Sequence, residues 1–254
     1  MLIATWNLNS VRARLERLLA WLEEWRPDIV CLQEVKTPEA NFPFAEIEKS
    51  GYHAAVFGQK GYHGVAILSR SEPQEISRGM ADGVDDGQAR LIAASIDGVR
   101  VMCAYAPNGG TPDSDKYLHK IAWFDRLLRH LRATENLAGP FLLCGDLNIA
   151  PEQRDVAHPE RWQGTVLYNE HMSEIFGRLL ACGLHDLGRN HLPAVTFSWW
   201  DYRLLSFPRN DGLRIDHLLA SPALTGRCLE VFVDREQRKG KSPSDHAPVL
   251  ARFS

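Results

Sequence analysis

A chain of 254 residues with 44% hydrophobic and 24% charged residues has the composition of a soluble globular protein with a sizeable core. No apolar stretch of about eighteen residues and no basic leader is present, which excludes a membrane span and a signal peptide. The five cysteines form no CxxC pair and lie in apolar contexts, so we expect reduced thiols in a cytoplasmic protein. The net charge of −3 indicates no general attraction to polyanions, but nucleic-acid binding requires only a local basic surface.

The first third of the chain is predicted to alternate strands and helices. Leu2–Leu8 is predicted to be a strand, and Ser10 is predicted to cap the helix that follows. Apolar residues recur in that helix at helical spacing: Val11, Leu15, Leu18, Leu19, Leu22 and Trp25. The apolar run after Pro27 predicts a second buried strand, 29–32. A short helix over 44–49 and strands over 52–57 and 65–69 follow, the strands joined by a glycine-rich loop.

The remainder of the chain is predicted to contribute both antiparallel and parallel strands. Asp97-Gly98 between the apolar runs 89–96 and 99–105 predicts a type I′ hairpin. This hairpin, and the absence of GxGxxG and GxxxxGK[ST] motifs, count against a purely parallel dinucleotide-binding sheet. Further elements are predicted from apolar periodicity: a helix over 118–131, a strand over 141–144, a helix over 172–180, and strands over 213–220, 228–233 and 249–253. No linker or repeat interrupts this order, so we predict one domain over residues 1–254.

The segment LLCGDLNIAP, residues 142–151, has the strongest chemical signal. A buried strand ends there at Gly145, which permits a tight turn or close approach of a ligand. If the extended conformation continues, Asp146 and Asn148 point to the same side. Both would then lie at the rim of a sheet, where open α/β sheets bind ligands. Taken alone, the pattern fits an Asx turn that leaves a strand equally well.

Other polar residues also lie at or near the ends of predicted strands: Asn7, Glu34, Tyr105, Asp245 and His246. Asp216 lies within an apolar run and needs a partner, because an unpaired buried carboxylate is costly. His246 is the natural partner, since a buried carboxylate orients an imidazole and stabilises its protonated form. Oxygen ligands without thiolates suit Mg²⁺, for which Mn²⁺ can substitute. Together these groups predict hydrolysis of a phosphate ester.

Seven motifs in order resemble the exonuclease III / AP endonuclease family of the endonuclease–exonuclease–phosphatase superfamily: TWNLNSVRAR, DIVCLQEVK, GYHGVAILSR, GDLNIAP, SWWDYR, GLRIDHLLAS and SDHAPV. They are distributed over the whole chain. The resemblance implies an α/β (α+β) fold, a four-layer α/β sandwich in which two mixed β-sheets pack face to face with helices outside. It places the site at one end of the sandwich.

The resemblance also implies roles for individual residues. Asp146 activates the attacking water and Asn148 stabilises the transition state. His246 contacts the scissile phosphate or acts as the base, and Asp216 orients it. Tyr105 is the active-site phenol, as a donor or as a phenolate. The implied metal-site residues are Asn7, Glu34, Asp146, Asn148, Asp245 and His246.

The implied activity is that of a Mg²⁺-dependent DNA repair nuclease that acts on duplex DNA with 3′ ends or abasic sites, as a monomer. Candidate DNA-contacting residues are basic or aromatic: Arg12 with its neighbour Arg14, Lys60, Tyr62, Trp199, Arg203, Arg238 and Lys241. For Arg12 a solvated helix face, and for the Lys60–Tyr62 loop an ordinary exposed loop, are the alternatives. A phosphoinositide or sphingomyelin phosphodiesterase and a non-catalytic nucleic-acid-binding regulator are the alternative functions.

Two positions depart from the family pattern. Asn9 stands where many members carry Asp, so the metal site holds one charge fewer. Leu167 is bulky where members that cut abasic sites well tend to have a small residue beside the pocket for the flipped sugar. We therefore expect processing of 3′ ends to be favoured over abasic-site incision.

Overall fold

The computed structural model describes residues 1–84 and 87–254, and in this part of the chain twelve strands form two mixed sheets. The strands are β1 (Leu2–Asn7), β2 (Ile29–Gln33), β3 (His53–Phe57), β4 (Val65–Ser69), β5 (Gln74–Arg78), β6 (Leu91–Ile96), β7 (Val99–Tyr105), β8 (Phe141–Asp146), β9 (His185–Asp186), β10 (Asp216–Ala220), β11 (Cys228–Val233) and β12 (Val249–Phe253). One sheet has the order β11-β12-β1-β2-β4-β3, and the other has the order β5-β6-β7-β8-β10-β9.

Helices cover the outer faces of both sheets. They are α1 (Leu15–Trp25), α2 (Phe44–Lys49), α3 (Asp115–Thr134), α4 (Pro159–Trp162), α5 (Glu170–Leu180), α6 (Leu187–His191), α7 (Ser206–Arg209) and α8 (Pro222–Thr225), with 3₁₀ turns at Glu39–Asn41, Gln153–Asp155 and Arg235–Arg238. None of the helices in the described ranges combines the length and the apolar character that a membrane crossing requires.

Three apolar clusters hold the layers together. The central cluster joins the facing sides of the two sheets and includes Ile3, Ile67, Val101 and Leu218. A second cluster packs α1 and α2 against the first sheet, and a third packs α3 and α5 against the second sheet. The helix–sheet–sheet–helix arrangement confirms the predicted four-layer sandwich with mixed sheets.

The elements that differ from the local predictions include α1, β5 and β10, and the short elements β9, α4, α6, α7 and α8 were not predicted. Helix α1 begins at Leu15, because Ser10 has a positive φ of 97° and its hydroxyl accepts a hydrogen bond from the Ala13 N–H in a separate turn. Strand β5 was not predicted, since it is a mostly exposed strand without apolar alternation. Strand β10 begins at Asp216, not at residue 213. The type I′ hairpin is confirmed, since Asp97 and Gly98 both have positive φ.

The topology brings the polar strand ends to one end of the sandwich. β1 and β2 are parallel and end at Asn7 and immediately before Glu34. β7 and β8 are parallel and end at Tyr105 and Asp146. β10 is antiparallel to β8, so its first residue, Asp216, pairs with Asp146.

Gly145 permits close contact between β7 and β8 beside Asp146. Its φ is +142°, and a Cβ at this position would lie 1.9 Å from the carbonyl oxygen of Ala104. Such a distance is far below van der Waals contact, so only glycine fits here.

A buried ionic cluster supports the start of β10. The Arg214 guanidinium donates to Asp155 Oδ1 at 2.7 Å and to Asp186 Oδ2 at 2.8 Å. His217 Nε2 lies 2.8 Å from the Ile149 carbonyl oxygen, and its Nδ1 lies 3.3 Å from Arg214. Burial and the neighbouring Arg214 charge together lower the pKa of His217 to about 4, although the charge of Asp186 raises it by a smaller amount. The imidazole is therefore buried in its neutral form.

This histidine makes the stability of the fold dependent on pH. In the unfolded chain its pKa returns to about 6.5, so between these two values only the unfolded state binds the proton. The stability contribution is therefore complete above about pH 6.5 and decreases as pH falls towards 4. We expect the free energy of unfolding of wild type to fall by about 2 kcal/mol more than that of His217→Gln between about pH 7.5 and about pH 5. Urea unfolding measures this, with His53→Gln at an exposed site as the control; equal pH slopes for all three proteins would contradict it.

Candidate active site

The amide of Asn7 holds two carboxylates at one point between the sheets. Its Nδ2 donates to Glu34 Oε1 and to Asp146 Oδ2, both at 2.9 Å. Its Oδ1 accepts the Asn9 N–H at 3.0 Å, which fixes the orientation of the amide. Each sheet thus contributes one carboxylate to the same pair of donor hydrogens.

His246 joins this group from the loop before β12. Its Nδ1 lies 2.8 Å from Asp216 Oδ2, and its Nε2 lies 3.7 Å from Asp146 Oδ2. Ser198 Oγ donates to Asp216 at 2.6 Å and secures its orientation. Burial lowers the pKa of His246, but the charges of Asp216 and Asp146 outweigh it and raise the pKa to about 10. The ring is therefore an imidazolium at neutral pH, and the His–Asp partnership expected from the sequence is present.

Asp146 is the most perturbed carboxylate of the site. Burial raises its pKa to about 7; Asp216 and Glu34 also raise it, while His246 and the Asn7 hydrogen bond oppose them. A general base works best when its pKa lies near the working pH, and Asp146 meets this condition while His246 keeps its proton. Asp146 is thus the candidate base, opposite a histidine that keeps its proton.

Tyr105 donates its hydroxyl to Glu34 Oε1 at 3.0 Å. Burial raises the pKa of this phenol well above its usual value, and the charges of Glu34 and Asp146 raise it further. The phenol is therefore neutral at neutral pH and donates its hydrogen bond to Glu34. Arg90 places its guanidinium 4.7 Å from the centre of the phenol ring and also donates to the Tyr105 carbonyl oxygen at 3.1 Å.

Asn148 does not continue the extended conformation of β8, as the sequence had suggested. Its φ is 51°, in the left-handed region, and its N–H donates to Asp146 Oδ1 at 3.0 Å. The segment therefore contains the Asx turn and the site residues together. Asn148 Nδ2 donates to the Ala106 carbonyl oxygen at 3.1 Å, and its Oδ1 accepts from Asn108 Nδ2 at 3.2 Å.

Asp245 is connected to Glu34 through two polar side chains. Its Oδ1 accepts from Asn9 Nδ2 at 3.2 Å, and Asn9 Oδ1 accepts from Lys36 Nζ at 2.5 Å. Lys36 Nζ also lies 2.8 Å from Glu34 Oε2. The pKa of Asp245 is lowered, because the charge of His246 and the hydrogen bond from Trp199 outweigh the effect of burial.

The donor set suits a hard divalent cation. Ligand atoms of Asp146, Asp216 and His246 lie within 4.8 Å of one another. Glu34 shares the Asn7 amide with Asp146, so a further carboxylate adjoins this cluster. Carboxylate oxygens packed without thiolates are typical of magnesium and manganese sites.

Most of the candidate DNA-contacting side chains surround this group at the surface. Exposed ones are Arg12, Lys60, Tyr62, Arg203 and Lys241, whereas Trp199 is half-buried. The Tyr62 ring lies 6.0 Å from Lys36 Nζ, so the loop between β3 and β4 reaches the rim of the site. Trp199 Nε1 donates to Asp245 Oδ2 at 3.0 Å on the other side.

Two candidate DNA-contacting arginines face the protein instead. Arg238 is 6% exposed, and its guanidinium donates to the carbonyl oxygens of Trp200 and Ser244. Arg14 donates to the carbonyl oxygens of Asn9 and Pro243. The sequence identified a basic cluster but not the carbonyl groups that these two side chains satisfy.

Leu167 lies in an apolar cluster that packs against two tryptophan side chains near the site. It is 6% exposed and packs with Val156 and Leu213. Trp162 and Trp199 pack against the same cluster, with their rings 5.9 Å apart in a T-shaped arrangement.

Five supporting residues were not identified from the sequence: Lys36, Arg90, Asn108, Lys120 and Ser198. Lys120 is fully buried on α3, and burial lowers its pKa to about 7 against the opposing charge of Asp146. The available signal was a lysine among the apolar positions of a predicted helix, at Lys120; the other four residues lie in loops, where the sequence offered no such signal. The lysine signal was not specific, because such residues do not show which loop they will contact.

Comparison with known proteins agrees with this geometry. Residues 4–246 match the model of the endonuclease/exonuclease/phosphatase family. Exodeoxyribonuclease III of Haemophilus influenzae is 35% identical over 266 aligned positions, which cover all of both chains. An AP endonuclease from Archaeoglobus fulgidus superposes with a TM-score of 0.97 at 38% identity, covering 100% of this chain and 99% of that one. A Neisseria 3′ phosphatase, NExo, solved with a product DNA hairpin, gives 0.97 at 42% identity, with 100% and 99% coverage.

The family match covers every residue of the site, from Asn7 to His246. The relatives agree in sequence and in fold over the full length of this chain. The chain belongs to the endonuclease/exonuclease/phosphatase family.

Proposed function

We propose that the protein is a Mg²⁺-dependent DNA repair nuclease that hydrolyses phosphodiesters and phosphomonoesters at the 3′ ends of duplex DNA. Abasic-site incision is the weaker activity. The observation that supports this most strongly is the shared Asn7 amide, which holds Glu34 and Asp146 opposite the protonated His246. The relatives are a DNA exonuclease, an AP endonuclease and a 3′ phosphatase bound to DNA.

The metal would be held mainly by Glu34 and Asp245, with Asn7 ordering Glu34, which leaves Asp146 free to act as the base. When bound, Mg²⁺ supplies neutralising charge for the phosphoryl oxygens. Mn²⁺ is expected to substitute, because it prefers the same oxygen ligands.

The other roles in hydrolysis are assigned to individual side chains of the site. Asp146, with a pKa of about 7, accepts the proton of the attacking water. The His246 imidazolium donates a hydrogen bond to a phosphate oxygen, and Asp216 keeps it charged and oriented. Asn148 and Tyr105 offer neutral donors to the charge that develops in the transition state.

One chain supplies all these residues, and its five cysteines are free, so we propose a cytoplasmic monomer.

Asp146→Asn removes the proposed base, and His246→Asn removes the charged hydrogen-bond donor to the phosphate. We expect each to lower kcat by at least ~10³-fold while the folded structure is retained, in line with loss of a principal catalytic group. Release of phosphate from a duplex with a 3′-phosphate measures this, with Mg²⁺ and with excess EDTA. Asp97→Asn, in the turn between β6 and β7, is the matched control and should cleave like wild type. Activity of wild type in EDTA, or of Asp146→Asn at the wild-type rate, would contradict the proposal.

Leu167 is proposed to limit entry of the flipped abasic sugar beside Trp199. Leu167→Gly should raise abasic-site incision relative to 3′-phosphate removal, because the branched side chain is gone. It also opens a cavity costing about 3 kcal/mol, so assays belong well below the unfolding temperature. Val156→Ala removes apolar volume from the same cluster and is the control. An unchanged ratio in Leu167→Gly, or an equal change in Val156→Ala, would exclude this role.

DNA binding is proposed to use the exposed basic side chains, so it should weaken as salt rises. Lys241→Gln should reduce the slope of log affinity against log salt by about 1, because one phosphate contact is lost. Lys49→Gln is the control, since Lys49 precedes β3 at the opposite end of the sheet. Fluorescence anisotropy with a 3′-phosphate duplex in EDTA measures binding without cleavage. Identical slopes for wild type and Lys241→Gln would remove Lys241 from the DNA surface.

A further inference from the structure

Lys120 points from helix α3 into the interior behind the active site. The side chain is 0% exposed. Its Nζ donates to the carbonyl oxygens of Asn108 at 3.2 Å, Asn148 at 2.7 Å and Val166 at 2.6 Å. Three separate loops therefore meet at one ammonium group.

An ammonium group is well suited to this position. It has three donor hydrogens that diverge from one atom and no acceptor. The three carbonyl groups belong to loops, so no strand ladder or helix satisfies them, and an unpaired buried carbonyl is costly. A buried charge is also costly, and this cost is met by the three carbonyl dipoles and by the nearby Asp146.

The Asn108 loop contacts the Asn148 amide directly, and the Val166 loop is tied to the segment that carries it. Asn148 contributes its own carbonyl, and Asn108 donates its Nδ2 to Asn148 Oδ1 at 3.2 Å. The third loop is tied to the same segment, because the Ala150 N–H donates to the Leu167 carbonyl oxygen at 2.9 Å. Movement of any of these loops would therefore move the Asn148 amide.

We propose that Lys120 is a positioning residue that fixes the Asn148 amide for its contact with the substrate phosphate, by tying the Asn108, Asn148 and Val166 loops to one ammonium group. The role assigned to Asn148 rests on the proposed nuclease function; the role of Lys120 in orienting that amide does not. Lys120 itself contacts neither substrate nor metal.

The test compares Lys120→Met, which keeps the length of the side chain and removes its donors, with Lys116→Met. Lys116 lies one turn earlier on α3, is exposed and serves as the matched control. Using the 3′-phosphate duplex and Mg²⁺, we expect Lys120→Met to lower kcat by at least ~30-fold with KM within ~3-fold, as for a lost transition-state interaction. Lys116→Met should keep both constants. The folded fraction is measured by circular dichroism, and kcat is calculated per folded enzyme.

A second measurement does not depend on activity. Side-chain amide resonances of ¹⁵N-asparagine-labelled protein are recorded, and the Asn148 pair is assigned with Asn148→Gln. We expect the Asn148 and Asn108 pairs to shift or broaden in Lys120→Met, and to stay in place in Lys116→Met. Lys120→Gln retains two donor hydrogens and should show smaller changes in both measurements. If Lys120→Met does not fold, the kinetic and resonance measurements on Lys120→Gln are the test.

The outcomes separate the two proposals. Absence of Mg²⁺-dependent cleavage in wild type would overturn the nuclease function, and the resonances would still decide the position of the amide. Unmoved Asn148 resonances in folded Lys120→Met, or in Lys120→Gln where only that variant folds, would overturn the positioning role. So would a kcat that falls only in proportion to the unfolded fraction.

Discussion

The repulsion between buried carboxylates is the constraint on which the rest of this structure depends. Asp146 and Asp216 are buried at one end of the sandwich, next to the half-buried Glu34 and Asp245. Like charges brought together in this way raise one another's pKa values unless donors or cations intervene. The Asn7 amide donates to Glu34 and Asp146, Lys36 pairs with Glu34, and a protonated imidazole pairs with Asp216. These partners hold the carboxylates in fixed directions.

The division between neutral and charged partners determines the chemistry. Asn7 bridges Glu34 and Asp146 without adding charge, so Asp146 keeps a pKa of about 7 and can take up a proton. Asp216 instead stabilises the charged form of His246. A cation partner at Asp146 in place of the Asn7 amide would lower its pKa and make it a poorer base. The Asn7 amide at the end of β1 therefore affects the pKa of Asp146 as well as the orientation of the carboxylates.

Local patterns in the sequence predicted most of the strands and helices and the polar residues at the strand ends. Buried runs, a turn at Asp97-Gly98 and polar residues after each run are visible in any short window. The resemblance to a known family supplied the four layers, the two mixed sheets packed face to face and the position of the site at one end of the sandwich. Predictions that depended on backbone conformation after a strand were weaker. Ser10 and Asn148 have left-handed conformations. Each also contacts a distant segment, Ser10 through the Glu34 carbonyl oxygen and Asn148 through Lys120, and no local pattern records these contacts.

Basic residues show the same limit most clearly, because their sequence neighbours do not reveal whether they face solvent or carbonyl groups. Lys241 and Arg238 lie three residues apart in one basic segment, yet the first is exposed and the second donates to two carbonyl oxygens. Loops that carry an active site leave the sheet ladder, so their carbonyl groups need donors from elsewhere. Lys120 and Arg238 meet that need from the interior. A positive charge in this chain thus serves either to attract a polyanion or to hold the loops that act on it, and only the tertiary structure distinguishes the two.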